Sequence, residues 1–189
     1  MLPAQDLYEI RWHGRGGQGA VTAAKILADA AFRSGFRGVA SAPSFGSERR
    51  GAPITASTRL ASAPVRLHSQ VSAPDIVVVL DDTLLGAGNA TAGLKPGGVL
   101  IVNTARPAAV SAPPGVRVVT ADVSASAASV GLLVGGSPMV NTAILGTFAA
   151  ATGLVTMESL REAVEAAFPP AAALKNYQAA VAAQGATRG

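Results

Sequence analysis

Apolar positions along this chain switch between two periods, and the switches divide it into strands and helices. Leu7–Trp12 predicts a strand that ends before Gly14. From about Gln18 to Ser34, residues Ala20, Ala23, Ala24, Leu27, Ala30 and Ala31 recur at i, i+3, i+4 and i+7 spacing, which predicts a helix with a small-residue face. Gly35 is the expected C-cap. A short strand is expected near Gly38–Ser41, followed by a loop from Ala42 to Pro53. Ile54, Ala56, Thr58 and Leu60 then alternate with Thr55, Ser57 and Arg59, the pattern of a half-buried strand. Ile76–Leu80 is a continuous apolar run entered from Pro74-Asp75, as in a central parallel strand buried on both faces. Val99–Val102 repeats it, and Val116–Val119 is a weaker copy interrupted by Arg117. Asp122 is placed to cap a helix of small residues. Helices are expected at Met139–Thr152 and Met157–Phe168, joined at Gly153 and stopped by Pro169-Pro170. A last helix, about Ala171–Ala183, is expected to fray into a Gly/Ala/Thr tail.

Strands alternating with helices predict an α/β fold: an open, mostly parallel Rossmann-like sheet with helices on both faces. The 189 residues suit a single domain with a core at about 8–180 and a flexible C-terminal tail. Charged residues make up only 14% of the chain, against about 25% in an ordinary soluble domain. No charge occurs over the 35 residues 123–157. Gly135-Gly136-Ser137-Pro138 interrupts that stretch, so it reads as a helix in a core or subunit interface and not as a membrane span. The apolar helices between Met139 and Phe168, with Leu145 and Ala150 on the first, are the expected contact with larger partners.

The absence of cysteine removes disulfides, thiolate zinc sites and iron–sulfur ligation at once. His13 and His68 form no metal-ligand motif, and no signal-peptide pattern opens the chain, so a cytoplasmic location is expected. The net charge of +4 is uneven, with +5 on residues 1–70 and −1 on 71–189. The arginines are scattered without interleaved aromatics, which argues against nucleic-acid binding.

The sharpest local signal is Gly14-Arg15-Gly16-Gly17-Gln18-Gly19, set between the first strand and the first helix. Its small residues let backbone N–H groups approach a phosphate at a helix N-terminus. The acid that would hold a ribose about 20 residues later is missing. An anionic ligand and a tight turn without ligand both stay open. The second signal is Phe45–Ala52, where Glu48, Arg49, Arg50 and Gly51 form either an anion clamp or a solvated loop. Asp81-Asp82 follows the central apolar strand and is expected to cap the next helix. No Ser/His/Asp constellation, no phosphate loop ending in Lys-Ser/Thr and no thiamine motif is present. No residue of the chain is expected to be catalytic or to bind a metal.

Taken together, the glycine turn and its Ala-rich helix resemble the opening of the gamma subunit of 2-oxoacid:ferredoxin oxidoreductases, the pyruvate and 2-oxoisovalerate type. Pro43–Pro53 is similar to that family's P-x-[YF]-G-x-E-x-R-G-[GA] loop, and Thr58-Arg59-Leu60 to its following strand. Pro74–Asp81, Asn141–Gly146, Gly153–Leu160 and Asn176 match further stations, in order, across about residues 8–180. Ala61-Ser62 departs from the usual Ser-Asp. The indolepyruvate-type small subunits share the glycine turn but carry a different loop. The resemblance implies a non-catalytic subunit that joins alpha, beta and ferredoxin-like delta chains. Thiamine diphosphate, magnesium and [4Fe–4S] clusters would lie on those other subunits, with ferredoxin as electron acceptor. It implies a structural and coenzyme-A-side role for this chain. The phosphate-suited turn and loop make Gly14, Arg15, Gly16, Gly17, Gln18, Gly19, Glu48, Arg49, Arg50 and Gly51 the candidate residues for coenzyme A. A stand-alone nucleotide- or coenzyme-A-binding module is the alternative.

Overall fold

A computed structural model describes residues 5–43, 50–65, 69–87 and 89–189. Glu48, Arg49 and His68 lie outside the described residues. Strand β1 (Leu7–Arg15) pairs on one edge with β3 (Pro53–Ala61), antiparallel, and β3 pairs in turn with β2 (Gly38–Pro43). On its other edge β1 starts a parallel run through β4 (Ile76–Val79), β5 (Val99–Asn103) and β6 (Arg117–Ala121). The sheet order is β2-β3-β1-β4-β5-β6, so three of its five pairings are parallel. Strand β1 does not stop before Gly14. Its ladder with β3 runs on to Arg15 opposite Pro53, because the partner strand satisfies its backbone that far.

The described residues also hold six α-helices: α1 (Ala20–Arg33), α2 (Leu84–Ala87), α3 (Val123–Ser129), α4 (Ala143–Thr152), α5 (Met157–Ala167) and α6 (Pro170–Ala186). On one face of the sheet Ile10, Trp12, Leu60, Ile76, Val78 and Ile101 pack under α1 and α3–α6. Trp12 stacks on Phe148 of α4 with ring centroids 6.2 Å apart, and its indole N–H donates to Thr58 Oγ1 at 2.9 Å. The other face is covered more thinly. Under β4 and β5 it is apolar, with Val77, Val79, Leu100 and Val102 against Leu84, Ala90 and Leu94. Under β1 and β3 it is polar. Arg59 is buried there, paired with Glu9 at 2.9 Å, so the half-buried alternation expected of β3 ends at that residue. Arg11 donates to His13 Nε2 at 3.0 Å and to the carbonyls of Val71, Ala90 and Ala92, fastening two loops to the sheet.

The uncharged stretch has an internal use. Every residue of α4 except Ala150 is buried, including Leu145, so this helix is not the partner-facing element expected from its composition. Helices α1, α3, α5 and α6 of the same chain provide the cover. The crossing with α6 is so close that a Cβ added at Gly146 would stand 1.8 Å from the Ala180 carbonyl oxygen. The short helix α3 begins on Asp122, whose carboxylate accepts the Ala125 N–H at 2.8 Å, as expected. The tail does not fray after Ala183. Helix α6 runs to Ala186, and Arg188 and Thr120 exchange backbone hydrogen bonds of 2.9 Å at the edge of β6. Among the described residues no helix is long and apolar enough to cross a membrane.

Gly146→Ala should lower stability by about 1–3 kcal/mol, because the methyl group must push α6 off α4. Thermal or urea unfolding measures this, and Ala150→Asp in the exposed position should leave the midpoint nearly unchanged. A pH effect follows from His13, whose imidazole is pushed down to about 4 by burial and then by the Arg11 charge. The unfolded chain binds its proton near pH 6.5, so the folded state is favoured above that pH and loses this advantage as pH falls toward 4. Wild type should lose about 2–3 kcal/mol more than His13→Asn between pH 7 and pH 4.5 in urea titrations.

Candidate anion site at the glycine-rich turn

The glycine-rich turn lies where β1 ends and α1 begins, between the antiparallel and parallel halves of the sheet. The chain leaving β1 crosses to the face of α1, while the chain leaving β4 crosses to the opposite face with α2. In open sheets such a reversal marks the crevice where ligands bind. Here the crevice is filled by the chain's own side chains. Asp81, at the end of β4, accepts from Arg15 Nε at 3.1 Å and from Gln18 Nε2 at 3.1 Å. It also accepts the Thr83 N–H, while Leu84 N–H bonds its carbonyl. Burial opposes ionisation of Asp81, but hydrogen bonds from Thr83 and Gln18 and the Arg15 charge outweigh it and hold the carboxyl below its usual range. Asp81 therefore does cap the following turn. Its grip on the glycine turn is the part that sequence reasoning missed.

Two cavities flank the turn. The first, about 280 Å³, opens above the carboxyl ends of β4–β6 and is lined by Gln18, Asp81, Asp82, Thr104, Arg106 and Asp122, among others. Its carboxylates are already engaged, Asp82 with Thr104 Oγ1 at 2.7 Å and with Arg106. Three acids make it a poor place for an anion.

The second cavity, about 500 Å³, lies on the other side of the turn. Gly16, Gly17, Gly19, Ala20, Val21, Thr22, Arg50 and Asn141 line it together with Ile54 and Met139, with no acid among the described residues. The loop carrying Arg50 is drawn to the turn by backbone pairing: Gly16 N–H donates to Ala52 at 2.8 Å and Gly51 N–H to Gly16 at 3.0 Å. The first bond of α1 runs from Ala23 N–H to Gly19, and no side chain caps this end. Val21 and Thr22, half-buried beside the cavity, have amides with no partner inside the helix, at the positive end of the helix dipole. Gly19 makes this possible with φ +81°, and a Cβ there would stand 2.7 Å from Asn141 Nδ2. The sequence marks Asn141 as a family station, and its place beside Gly19 emerges from the fold.

The ten residues singled out in the sequence divide accordingly. Gly16, Gly17, Gly19 and Arg50 share the cavity. Gly14 is buried in β1, with the Cβ atoms of Ala20 and Leu80 and the Gln18 Oε1 within 3.7 Å of where its own would stand. Arg15 and Gln18 turn away to Asp81, and Arg15 also donates to Thr83 Oγ1 and the Gly51 carbonyl. Gly51 contributes backbone pairing, and Glu48 and Arg49 lie outside the described residues.

Residues 9–186 match the family model described as pyruvate ferredoxin/flavodoxin oxidoreductase. The chain belongs to that family. A relative from Thermococcus kodakarensis, the pyruvate/ketoisovalerate oxidoreductases common subunit gamma, is 49% identical over 92% of this chain and 94% of its own length. Pyruvate synthase subunit PorC of Methanosarcina barkeri is 48% identical over 84% of this chain and 85% of its own. The crystal structure of pyruvate oxidoreductase subunit PORC from Thermotoga maritima superposes with a TM-score of 0.77 at 31% identity, covering 97% of this chain and 98% of that one. A 2-oxoglutarate:ferredoxin oxidoreductase from Magnetococcus marinus, described with 2-oxoglutarate, coenzyme A and succinyl-CoA bound, shares the fold. It superposes with a TM-score of 0.75 at 19% identity over 96% of this chain and 31% of its own. Within the family the chain is a gamma-type subunit of a 2-oxoacid:ferredoxin oxidoreductase. The alternative of a stand-alone nucleotide module gives way to this assignment.

The Gly19–Asn141 contact is testable by a double-mutant cycle. Gly19→Ala should cost about 2–4 kcal/mol in the wild-type background, from left-handed backbone strain plus the clash. In an Asn141→Gly background, which removes the Cβ at 2.9 Å as well as the Nδ2, it should cost only about 1–2 kcal/mol, the strain alone. Chemical denaturation of the four proteins measures the difference.

Proposed function

We propose that this gamma-type subunit supplies the coenzyme-A side of its oxidoreductase and holds a phosphate of the coenzyme at the N-terminus of α1. The observation that carries the reading is the cavity in which Gly16, Gly17, Gly19, the N-terminal end of α1 and Arg50 meet, with no acid among the described lining residues. Backbone donors at a helix N-terminus and a guanidinium fork both suit phosphate oxygens. Coenzyme A carries a diphosphate and a 3′-phosphate, one for each kind of donor, and the Asn141 amide adds a further polar group on the wall. The Magnetococcus marinus neighbour, with coenzyme A and succinyl-CoA bound, supports the same reading at the level of the fold. Glu48 and Arg49 lie outside the described residues and are proposed for the site from the sequence alone, Arg49 as a second guanidinium and Glu48 as its neighbour in the loop.

In this reading the chain does no redox chemistry of its own. Alpha, beta and ferredoxin-like delta subunits carry thiamine diphosphate, magnesium and [4Fe–4S] clusters, decarboxylate the 2-oxoacid and pass electrons to ferredoxin in the cytoplasm. Coenzyme A accepts the acyl group as a thioester. The residues of this chain bind and orient the coenzyme. Arg15, Gln18 and Asp81 keep the turn rigid, so that its amides point into the cavity without reorganising. Asp81 also excludes the phosphate from the sheet crevice and leaves the Arg50 side as the anion-compatible one.

In the assembled complex, Arg50→Ala should raise the KM for coenzyme A ten- to a hundredfold, the equivalent of about 1.5–3 kcal/mol for one charge-assisted contact. Electron transfer from the 2-oxoacid in the absence of coenzyme A should be little changed. Steady-state and coenzyme-free reduction assays on the same preparation separate the two. An unchanged coenzyme A KM would leave the cavity with a structural role only.

A further inference from the structure

The helical layer has two unlike halves. Helices α1 and α5 present Lys25, Arg33, Glu158, Arg161, Glu162 and Glu165 to solvent, with Arg33 paired to Glu162 at 3.1 Å. This is an ordinary hydrated face. On the other half lie α3, α6 and a small hairpin of β7 (Leu133–Val134) and β8 (Ser137–Pro138). Residues 123–138 and 169–186, which form it, contain one charged side chain, Lys175, and no acid. Of the five large apolar side chains exposed among the described residues, four are here: Leu133, Val134, Leu174 and Val181. Leu174, Lys175, Gln178 and Val181 form one exposed stripe of α6, opposite the buried stripe of Ala173, Asn176, Ala180 and Ala183. Lys175 reaches back to the entry of the hairpin, its Nζ 3.9 Å from where a Cβ at Gly131 would stand.

From this face we infer a docking surface for a different subunit of the complex, one that brings an apolar patch with a carboxylate opposite Lys175. Charge depletion with exposed aliphatic side chains is the composition of an interface centre and not of a hydrated surface. A two-stranded hairpin this short is marginal in water and gains order when its apolar side chains are covered. The charge pattern selects the occupant. A second copy of this chain, docked through the same face, would bury Lys175 with no acid to meet it, since the patch has none. An unpaired buried ammonium is strongly unfavourable. A heterologous partner with a carboxylate satisfies the same cation. The inference rests on the chain being a subunit of a larger oxidoreductase and replaces α4 with α6 and the hairpin as the contact.

The test is assembly of the full-length chain with the other subunits of its complex, followed by titration of labelled gamma chain onto gamma-free complex. Val134→Asp, Leu174→Asp and Lys175→Glu should each weaken association at least tenfold, with the thermal midpoint of the isolated chain unchanged. Glu165→Lys, on the hydrated half, should assemble like wild type. Wild-type affinity in all three variants overturns the inference. So does an isolated chain that sediments as a dimer dissolved by Val134→Asp, which would make a second copy the occupant. Failure of the wild-type chain itself to join the complex would instead refute its role as a subunit.

Discussion

The organisation of this subunit depends on the two edges of β1. Each strand carries a row of donors and acceptors that must be satisfied, and β1 meets that demand in opposite senses, antiparallel to β3 and parallel to β4. Where two such ladders share a strand, the connections leaving it and its parallel neighbour diverge to opposite faces. The end of β1 thereby becomes a gap between two half-sheets, and the glycine-rich turn occupies it. The lining of that gap decides which ligands it can take. On the parallel side Asp81 has claimed the space. On the antiparallel side, pairing of Gly16 with the Arg50 segment builds a cavity with no acid among the described residues.

A second consequence concerns the two sheet faces. Beneath the parallel strands both faces are apolar, and the short chains returning from β4 and β5 suffice as cover. Beneath β1 and β3 the thin face is charged and polar, with Glu9 and Arg59 paired and Arg11 bonded to carbonyls of the overlying loops. Loops pinned by guanidinium groups replace the helix that a symmetric three-layer fold would place there.

Much of this was legible in the residues. The run Ile76–Leu80 could only be a strand covered on both sides, and Asp122 announced its helix with a capping carboxylate. The glycine turn was found because small residues between a strand and a helix leave so few readings. What stayed hidden was long-range. That Asp81 grips Arg15 and Gln18 depends on two strand ends 66 residues apart being adjacent, which no local pattern encodes. The buried role of α4 was misread because an uncharged helix looks alike in a core and in an interface. Only the position of α6, held close by Gly146, distinguishes them. Composition also suggested a loose C-terminus, since Gly, Ala and Thr give no apolar anchor, whereas the anchor there is backbone pairing.

That pairing bears on how the subunit behaves outside its complex. Strand β6 is an edge, and an edge offers unpaired amides and carbonyls on which another chain can template. By exchanging two hydrogen bonds with Thr120, Arg188 covers the middle of that edge with the chain's own last residues. A chain shortened before Thr187 would keep every residue of its core and still present a sticky strand to its neighbours. The Thr120–Arg188 bridge thus closes part of an edge on which another chain could otherwise pair.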